Sequence, residues 1–107
     1  MRAYIYTLSL CEPYRLTDNW TTETYNIVSE HFAYLQNLTA KGIAVLVGRT
    51  DYAVSDEFLF GIVVFEAENE SHATHIMQND PCLLNGVMAA KLHPFNIALL
   101  RLETGTK

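Results

Sequence analysis

Residues 58–67, FLFGIVVFEA, restrict the fold most, because they predict a strand with large apolar side chains on both faces. One face carries Phe58, Phe60, Ile62 and Val64, and the other carries Leu59, Val63 and Phe65. Residues 43–50, IAVLVGRT, predict a second strand of this kind, with Ile43, Val45 and Val47 opposite Ala44 and Leu46. A sheet built from such strands needs an apolar cover on each of its two faces.

The remaining patterns supply two helices and two further strands. In chain order, we predict a strand at 2–10, a helix from Thr21 or Thr22 to Lys41, strands at 43–50 and 58–67, a helix at 70–79, and a strand at 87–92 extended over 94–102. The order β-α-β-β-α-β is that of the ferredoxin-like α+β fold, an antiparallel sheet with both helices on one face. Residues 1–107 are predicted as a single domain, with 96–107 as a C-terminal strand extension and tail.

Two helices cover only one face of a ferredoxin-like sheet. The other face is also apolar here, and the chain has no further helix to cover it. Because so large an apolar surface is rarely left in water, we expect a second copy of the sheet to cover it. The sequence therefore predicts a homodimer that associates through its sheet faces.

Charge and composition exclude several classes of function. The chain has 7 Lys and Arg against 12 Asp and Glu, and the basic residues are spread singly, which argues against nucleic-acid binding. The longest apolar stretch, GIVVF, is far shorter than the roughly 20 residues of a membrane span, and the N-terminus lacks a signal-peptide pattern. Two cysteines without CxxC spacing predict a reduced, cytoplasmic protein.

A histidine and an aspartate are the main candidates for chemistry. His31 lies in the apolar stripe of the first predicted helix, where it is either a core histidine with one hydrogen-bond partner or an acid–base group. Asp80 precedes Pro81 at the start of a short helical turn that Gly86 ends. That position is ordinary for an N-cap, but a carboxylate there could also orient an imidazole.

Three residues are candidates for binding a ligand. Arg49, at the end of the second predicted strand, is either an ordinary surface residue or a bidentate partner for a carboxylate. Thr50 follows it as a secondary contact, and Tyr34 lies at the edge of the helical stripe that contains His31.

No metal site or cofactor is predicted. His72 and His75 are spaced as an HxxH pair, but a third ligand is missing and an exposed polar face explains them better. Cys11 has no neighbour in sequence that would activate its thiol. Nucleotide-binding glycine motifs are absent from the sequence.

Three stretches together resemble one family. EHFAYLQNLTAKGIAVLVGRTD, then GIVVFEAENESHATHIMQNDP, then LLNGVM with a last strand ending near HPF, resemble the YciI-like (YCII-related) family. The resemblance implies a ferredoxin-like fold assembled as a dimeric α+β barrel, and an enzymatic site with its histidine and aspartate at His31 and Asp80. Relatives include enzymes that eliminate chloride from intermediates of aromatic degradation. The family often has Gly-Pro where this chain has Gly48-Arg49. This difference indicates that Arg49 selects an anionic ligand in this chain.

The resulting hypothesis is an enzyme with a His31–Asp80 dyad in a small pocket between the first helix and the sheet. The dyad performs acid–base chemistry of a lyase or isomerase type on a small anionic metabolite held by Arg49, without a cofactor. A non-catalytic dimeric module that binds a small ligand or a partner protein is the alternative. Cofactor-independent oxygenation is a third possibility and rests on fold analogy alone.

Overall fold

The computed structural model describes residues 1–101, and residues 102–107 lie outside the described range. Its strands and helices are β1 (Arg2–Leu10), α1 (Thr22–Ala40), β2 (Ala44–Arg49), β3 (Gly61–Ala67), α2 (Glu70–Gln78), α3 (Pro81–Leu84) and β4 (Met88–Pro94). The four strands form an antiparallel sheet in the order β2-β3-β1-β4. This confirms the predicted ferredoxin-like α+β fold.

The ends of the main helix follow from its sequence. The Thr21 hydroxyl accepts a hydrogen bond from the backbone N–H of Thr24, and the Thr24 hydroxyl accepts one from the N–H of Thr21, which forms a capping box. Beyond the last turn of α1, Gly42 adopts a φ of 78°, a left-handed conformation that glycine tolerates best. Within residues 1–101, none of the helices is both long and apolar enough to cross a membrane.

The hydrophobic core lies between one face of the sheet and the helices. On that face Tyr4, Tyr6 and Leu8 of β1 stand opposite Phe65, Val63 and Gly61 of β3. The helices complete the core with buried residues Leu35, Leu38, Ala73 and Ile76. The Tyr6 and Phe65 rings meet edge to face with centroids 5.7 Å apart. The Tyr6 side chain is thereby held in the layer between the sheet and α1.

The third strand is shorter than predicted. It begins at Gly61 rather than at Phe58, because Asp56 holds the preceding residues in a turn. The Asp56 carboxylate accepts from the backbone N–H of Phe58, and its carbonyl accepts from the N–H of Leu59. Phe58 and Phe60 are therefore exposed loop residues and not part of a sheet face.

The predicted distribution of the β2 side chains over the two faces of the sheet is wrong, because the strand contains a bulge. Ala44 pairs with Phe65, but Leu46 pairs with Val64, so Val45 is an extra residue in this strand. Val47 therefore shares the helix-covered face with Ala44 instead of lying on the face opposite to it, and Leu46 lies on the open face.

The chain after β4 has no regular secondary structure as far as residue 101. Pro94 is the last residue of this edge strand, and the backbone N–H of Phe95 donates to the carbonyl of Ala3. The predicted extension over 94–102 is thus not formed within the described part of the single chain. Its end and the tail lie outside the described residues.

Replacing Gly86 by alanine should destabilise the fold by about 1–2 kcal/mol, because Gly86 closes α3 with a φ of 71° that an L side chain disfavours. An added Cβ would meet no atom within 4 Å, so the cost is conformational. Urea denaturation monitored by circular dichroism measures it. Gly48→Ala is the matched control, since Gly48 also has open space but lies in extended backbone. Equal stabilities of the two variants would contradict the prediction.

Candidate active site

Asp80 is a fully buried carboxylate at the N-cap of α3. Its Oδ1 atom accepts the backbone N–H of Cys82 at 3.0 Å, and Pro81 occupies the first helical position, where a missing N–H does no harm. The ordinary N-cap role expected from the sequence is therefore present. It uses only part of the hydrogen-bonding capacity of the carboxylate.

His31 reaches the same carboxylate from α1. Its Nδ1 atom lies 2.6 Å from Asp80 Oδ1, and the side chain is 12% exposed. Because an ionised carboxylate only accepts, Nδ1 carries the proton of this bond, and the lone pair of the neutral imidazole is on Nε2. None of residues 1–101 forms a hydrogen bond with Nε2. The ring is thus oriented through Nδ1, and Nε2 has no partner among these residues.

Tyr6 is a third member of this group, and the sequence analysis did not single it out. Its hydroxyl donates to Asp80 Oδ2 at 2.9 Å in a fully buried environment. Burial raises the pKa of Tyr6 far above its ordinary value, and the negative charge of Asp80 raises it further. A signal was present, because the alternation of residues 2–10 puts Tyr6 on the same face of the strand as Tyr4 and Leu8, and a buried phenol needs a hydrogen-bond partner.

Two further acids face Asp80 and remain protonated. Burial, followed by the charge of Asp80, raises the pKa of Tyr34 and raises the pKa of Cys82 to about 12. The Tyr34 hydroxyl donates to the carbonyl of Ile76 at 2.8 Å, so its proton links α1 to α2. A ligand could use only the remaining lone pair of this oxygen or the edge of the ring.

His31, Asp80 and Cys82 also form the one group of three possible metal ligands within residues 1–101, with ligand atoms within 4.8 Å of one another. The contact of 2.6 Å between Nδ1 and Oδ1 is that of a proton-bridged pair. Ligand atoms around a tetrahedral zinc lie farther apart, at about 3.3 Å for bonds of about 2.0 Å. The arrangement fits a shared proton and would have to open to admit an ion.

Arg49 lies on the helix-covered face of the sheet, the face that carries Tyr6. It pairs with Gly61, which pairs with Leu8, so the three residues form one row across β2, β3 and β1. Gly61 contributes no side chain to this row, and α1 does not cover Arg49, which is exposed. The Arg49 guanidinium is therefore open to solvent on the side of the sheet where the His31–Asp80 pair lies.

Thr50 has a structural role in the loop after β2. Its hydroxyl donates to the carbonyl of Phe58 at 2.8 Å and accepts the backbone N–H of Phe60 at 3.0 Å. These bonds hold the connection that follows Arg49, and they leave one lone pair for any ligand.

The HxxH histidines serve local contacts on α2. The Nδ1 atom of His72 accepts the backbone N–H of Glu68, and His75 lies beside Asn79. His75 also lines a shallow surface depression along α2, and a second depression lies between Arg2 and Phe95. Neither depression includes His31 or Asp80.

The structure defines a ferredoxin-like α+β protein with a partly buried histidine–aspartate pair between its first helix and its sheet. The family profile of the YCII-related domain matches residues 7–96. The chain therefore belongs to the YCII-related domain family, as the sequence resemblance predicted.

Among solved structures, the chain is similar to 5-chloro-2-hydroxyhydroquinone dehydrochlorinase (TftG) from Burkholderia phenoliruptrix AC1100, in complex with 2,5-dihydroxybenzoquinone. The TM-score is 0.60 and the sequence identity 19%, over 87% of this chain and 93% of that chain. At this identity the similarity establishes the fold. No curated protein matches the chain significantly.

The buried thiol of Cys82 predicts a loss of stability at high pH. Between its ordinary pKa of 9.0 and its folded value of about 12, the unfolded chain releases the Cys82 proton and the folded chain keeps it. Because the folded state then binds more protons, its stability falls as the pH rises through this range. We expect the free energy of unfolding of Cys82→Ala, measured by urea denaturation at a series of pH values, to fall less steeply as the pH rises. Cys11→Ala, which removes the half-buried thiol outside this group, is the control, and equal slopes for the two variants would contradict the assignment.

Proposed function

We propose that this chain is a small-molecule enzyme in which His31 and Asp80 form a general acid–base dyad. The observation that carries this proposal is the bond of 2.6 Å between Nδ1 and Oδ1, which orients the ring and leaves Nε2 without a hydrogen-bond partner among residues 1–101. An imidazole in this arrangement is fixed in one tautomer, and its protonated form is stabilised by the buried charge.

The reaction class is that of a lyase or an isomerase. His31 Nε2 takes a proton from a bound substrate, and Asp80 stabilises the imidazolium that results. The proton then returns to a different atom of the substrate in an isomerisation, or leaves with an expelled anion in an elimination such as dehydrochlorination. General acid–base catalysis of this kind contributes about 10²–10⁴-fold. These steps require only the residues of the chain and no cofactor.

The substrate is a small anionic metabolite bound by Arg49. An exposed guanidinium on the face of the sheet that carries Tyr6 supports this assignment, because it can hold a carboxylate or an enolate in a bidentate way. Tyr34 contributes the edge of its ring to the same ligand, and Thr50 holds the loop beside Arg49. The dihydroxybenzoquinone bound by the dehydrochlorinase is a ligand of comparable size and chemistry.

The working form is a homodimer that buries the open sheet face. Ile5, Val64 and Leu46 form an apolar row across β1, β3 and β2 on that face. Leu46 is 55% exposed in the single chain, so the row ends in water unless another surface covers it. A second copy supplies an identical apolar surface and requires no other partner.

The protein is cytoplasmic in this proposal. Both Cys11 and Cys82 are free thiols, which supports a reducing compartment.

Two compounds test the proposal, one by its binding to the chain and the other by its turnover. We expect the chain to bind 2,5-dihydroxybenzoquinone and to release chloride from 5-chloro-2-hydroxyhydroquinone or a related chlorinated hydroxyhydroquinone. His31→Gln should lower turnover by about 10²–10⁴-fold and leave binding nearly unchanged, because the imidazole moves the proton. Arg49→Gln should weaken binding at least about 10-fold through loss of a charge-assisted pair.

His75→Gln and Arg2→Gln are the matched controls. Both residues lie outside the His31–Asp80 pair and outside the row that contains Arg49. A different result would contradict the proposed enzyme: the chain binds the ligand without turnover, and neither His31→Gln nor Arg49→Gln changes that binding. The chain would then be a non-catalytic binding module.

Leu46→Glu should convert the dimer into a monomer, because it places a charge on the apolar row of the open face. Sedimentation velocity at micromolar concentration measures this. Phe32→Glu changes a similarly exposed apolar residue on α1 and should leave the dimer intact. A wild-type monomer, or a dimer that tolerates Leu46→Glu and not Phe32→Glu, would show that the sheet face is not the interface.

A further inference from the structure

We propose that Tyr6 is a positioning residue that fixes the Asp80 carboxylate and moderates its charge, so that His31 is not held permanently protonated. This inference rests on the proposed acid–base function of the pair. It assigns a role in that chemistry to a residue that acts through Asp80 and forms no hydrogen bond with the imidazole.

The two oxygens of Asp80 have separate partners. Oδ1 accepts from His31 Nδ1 and from the Cys82 backbone N–H, whereas Oδ2 accepts from the Tyr6 hydroxyl at 2.9 Å. The backbone donor on α3 and the phenol on β1 hold the carboxylate from two sides. The plane of the carboxylate is thereby set before His31 meets it, and a short bond to Nδ1 needs that alignment.

The Tyr6 phenol is itself immobile. Its side chain is fully buried, and its ring packs edge to face on Phe65. A hydroxyl on a rigid ring loses little further rotational freedom when it donates to Oδ2. Tyr6 is therefore a fixed donor and not a group that adapts to the position of the carboxylate.

The hydrogen bond from Tyr6 also lowers the proton affinity of the dyad. A donor to a carboxylate stabilises its anionic form and spreads its charge, so less of that charge acts on the imidazolium. Without this donor, Oδ2 would carry its charge in a buried site and would bind protons more strongly. A base that is already protonated at neutral pH cannot accept a proton from a substrate.

The other groups around Asp80 do not provide this adjustment. Tyr34 on α1 uses its proton on the carbonyl of Ile76 in α2, and the Cys82 thiol on α3 is a weak donor. Both remain uncharged at neutral pH, since burial and Asp80 raise the pKa of each. Tyr6 is thus the strong side-chain donor that joins Asp80 to β1.

An NMR titration of the His31 ring tests the role of Tyr6. Four histidines are present, so single substitutions assign the His31 signals. We expect the pH midpoint of the His31 titration to rise by at least about 0.3 pH unit in Tyr6→Phe, because Asp80 then acts on the imidazolium with its full charge. In Asp80→Asn the midpoint should fall by about one pH unit or more. The two shifts therefore have opposite signs.

Tyr4→Phe is the matched control. Tyr4 lies on the same face of β1, is equally buried and packs on the same Phe65 ring, but it makes no hydrogen bond to Asp80. The midpoint of the His31 titration in Tyr4→Phe should equal that of the wild type. A purely structural role of the Tyr6 ring would leave Tyr6→Phe at the wild-type midpoint, and a lowered midpoint would show that the carboxylate turns away without the phenol. The first result overturns the inference, and the second overturns the proposed moderation of the Asp80 charge while it retains the positioning of the carboxylate by Tyr6.

The Asp80→Asn result separates the two levels of the proposal. If its midpoint equals that of the wild type, the dyad is not coupled, and the proposed function fails together with the role of Tyr6. If Asp80→Asn shifts the midpoint and Tyr6→Phe does not, only the role of Tyr6 fails.

If Tyr6→Phe does not fold, a measurement on the wild type tests the inference instead. A buried hydroxyl that donates to a carboxylate should give a slowly exchanging proton signal whose chemical shift follows the His31 titration. A Tyr6 hydroxyl signal that stays constant while His31 titrates would contradict the inference.

Discussion

One buried carboxylate links the elements on which the site depends. Asp80 accepts hydrogen bonds from α1 through His31, from β1 through Tyr6 and from the backbone of α3 through Cys82. A carboxylate taken out of water is costly unless donors surround it, so all three elements must be in place for the charge to be tolerated. The same contacts that make Asp80 acceptable in the core orient His31. Folding and preparation of the candidate active site are therefore a single requirement.

Local patterns predicted the elements that carry this site. The alternation of residues 2–10, the threonine cap of α1 and the Asp80-Pro81 start of α3 appear in the structure where the sequence indicated them. Periodicity describes which face of an element is buried, but it cannot say which polar atoms meet there. His31 and Asp80 are 49 residues apart, and the family resemblance, not spacing, connected them before the structure did. Tyr6 was predicted as a residue of the first strand, but its hydroxyl bond depends on a side chain 74 residues away.

Irregular backbone causes the differences between the predicted strands and the strands of the structure. The Asp56 turn removed Phe58 and Phe60 from the third strand, although their apolar character fits a strand. The bulge at Val45 has a larger effect, because one extra residue exchanges the faces of every residue that follows. In a regular strand with Ala44 on the helix-covered face, Arg49 would lie on the open face. The bulge places Arg49 on the side of the dyad and directs Leu46 to the exposed apolar row.

The proposed division of labour follows from where each residue is anchored. His31, Asp80 and Tyr6 lie between the first helix and a central strand, where a change in one side chain disturbs the packing of the others. Arg49 lies on β2, an edge strand whose end is not covered by α1 and whose loop is held by Thr50. Substitutions at such an edge alter the surface presented to a ligand at little cost to the core. An acid–base pair fixed in the core and a ligand contact on a tolerant edge would let one fold serve different small anions. The family membership of this chain is therefore compatible with a substrate that differs from that of the dehydrochlorinase.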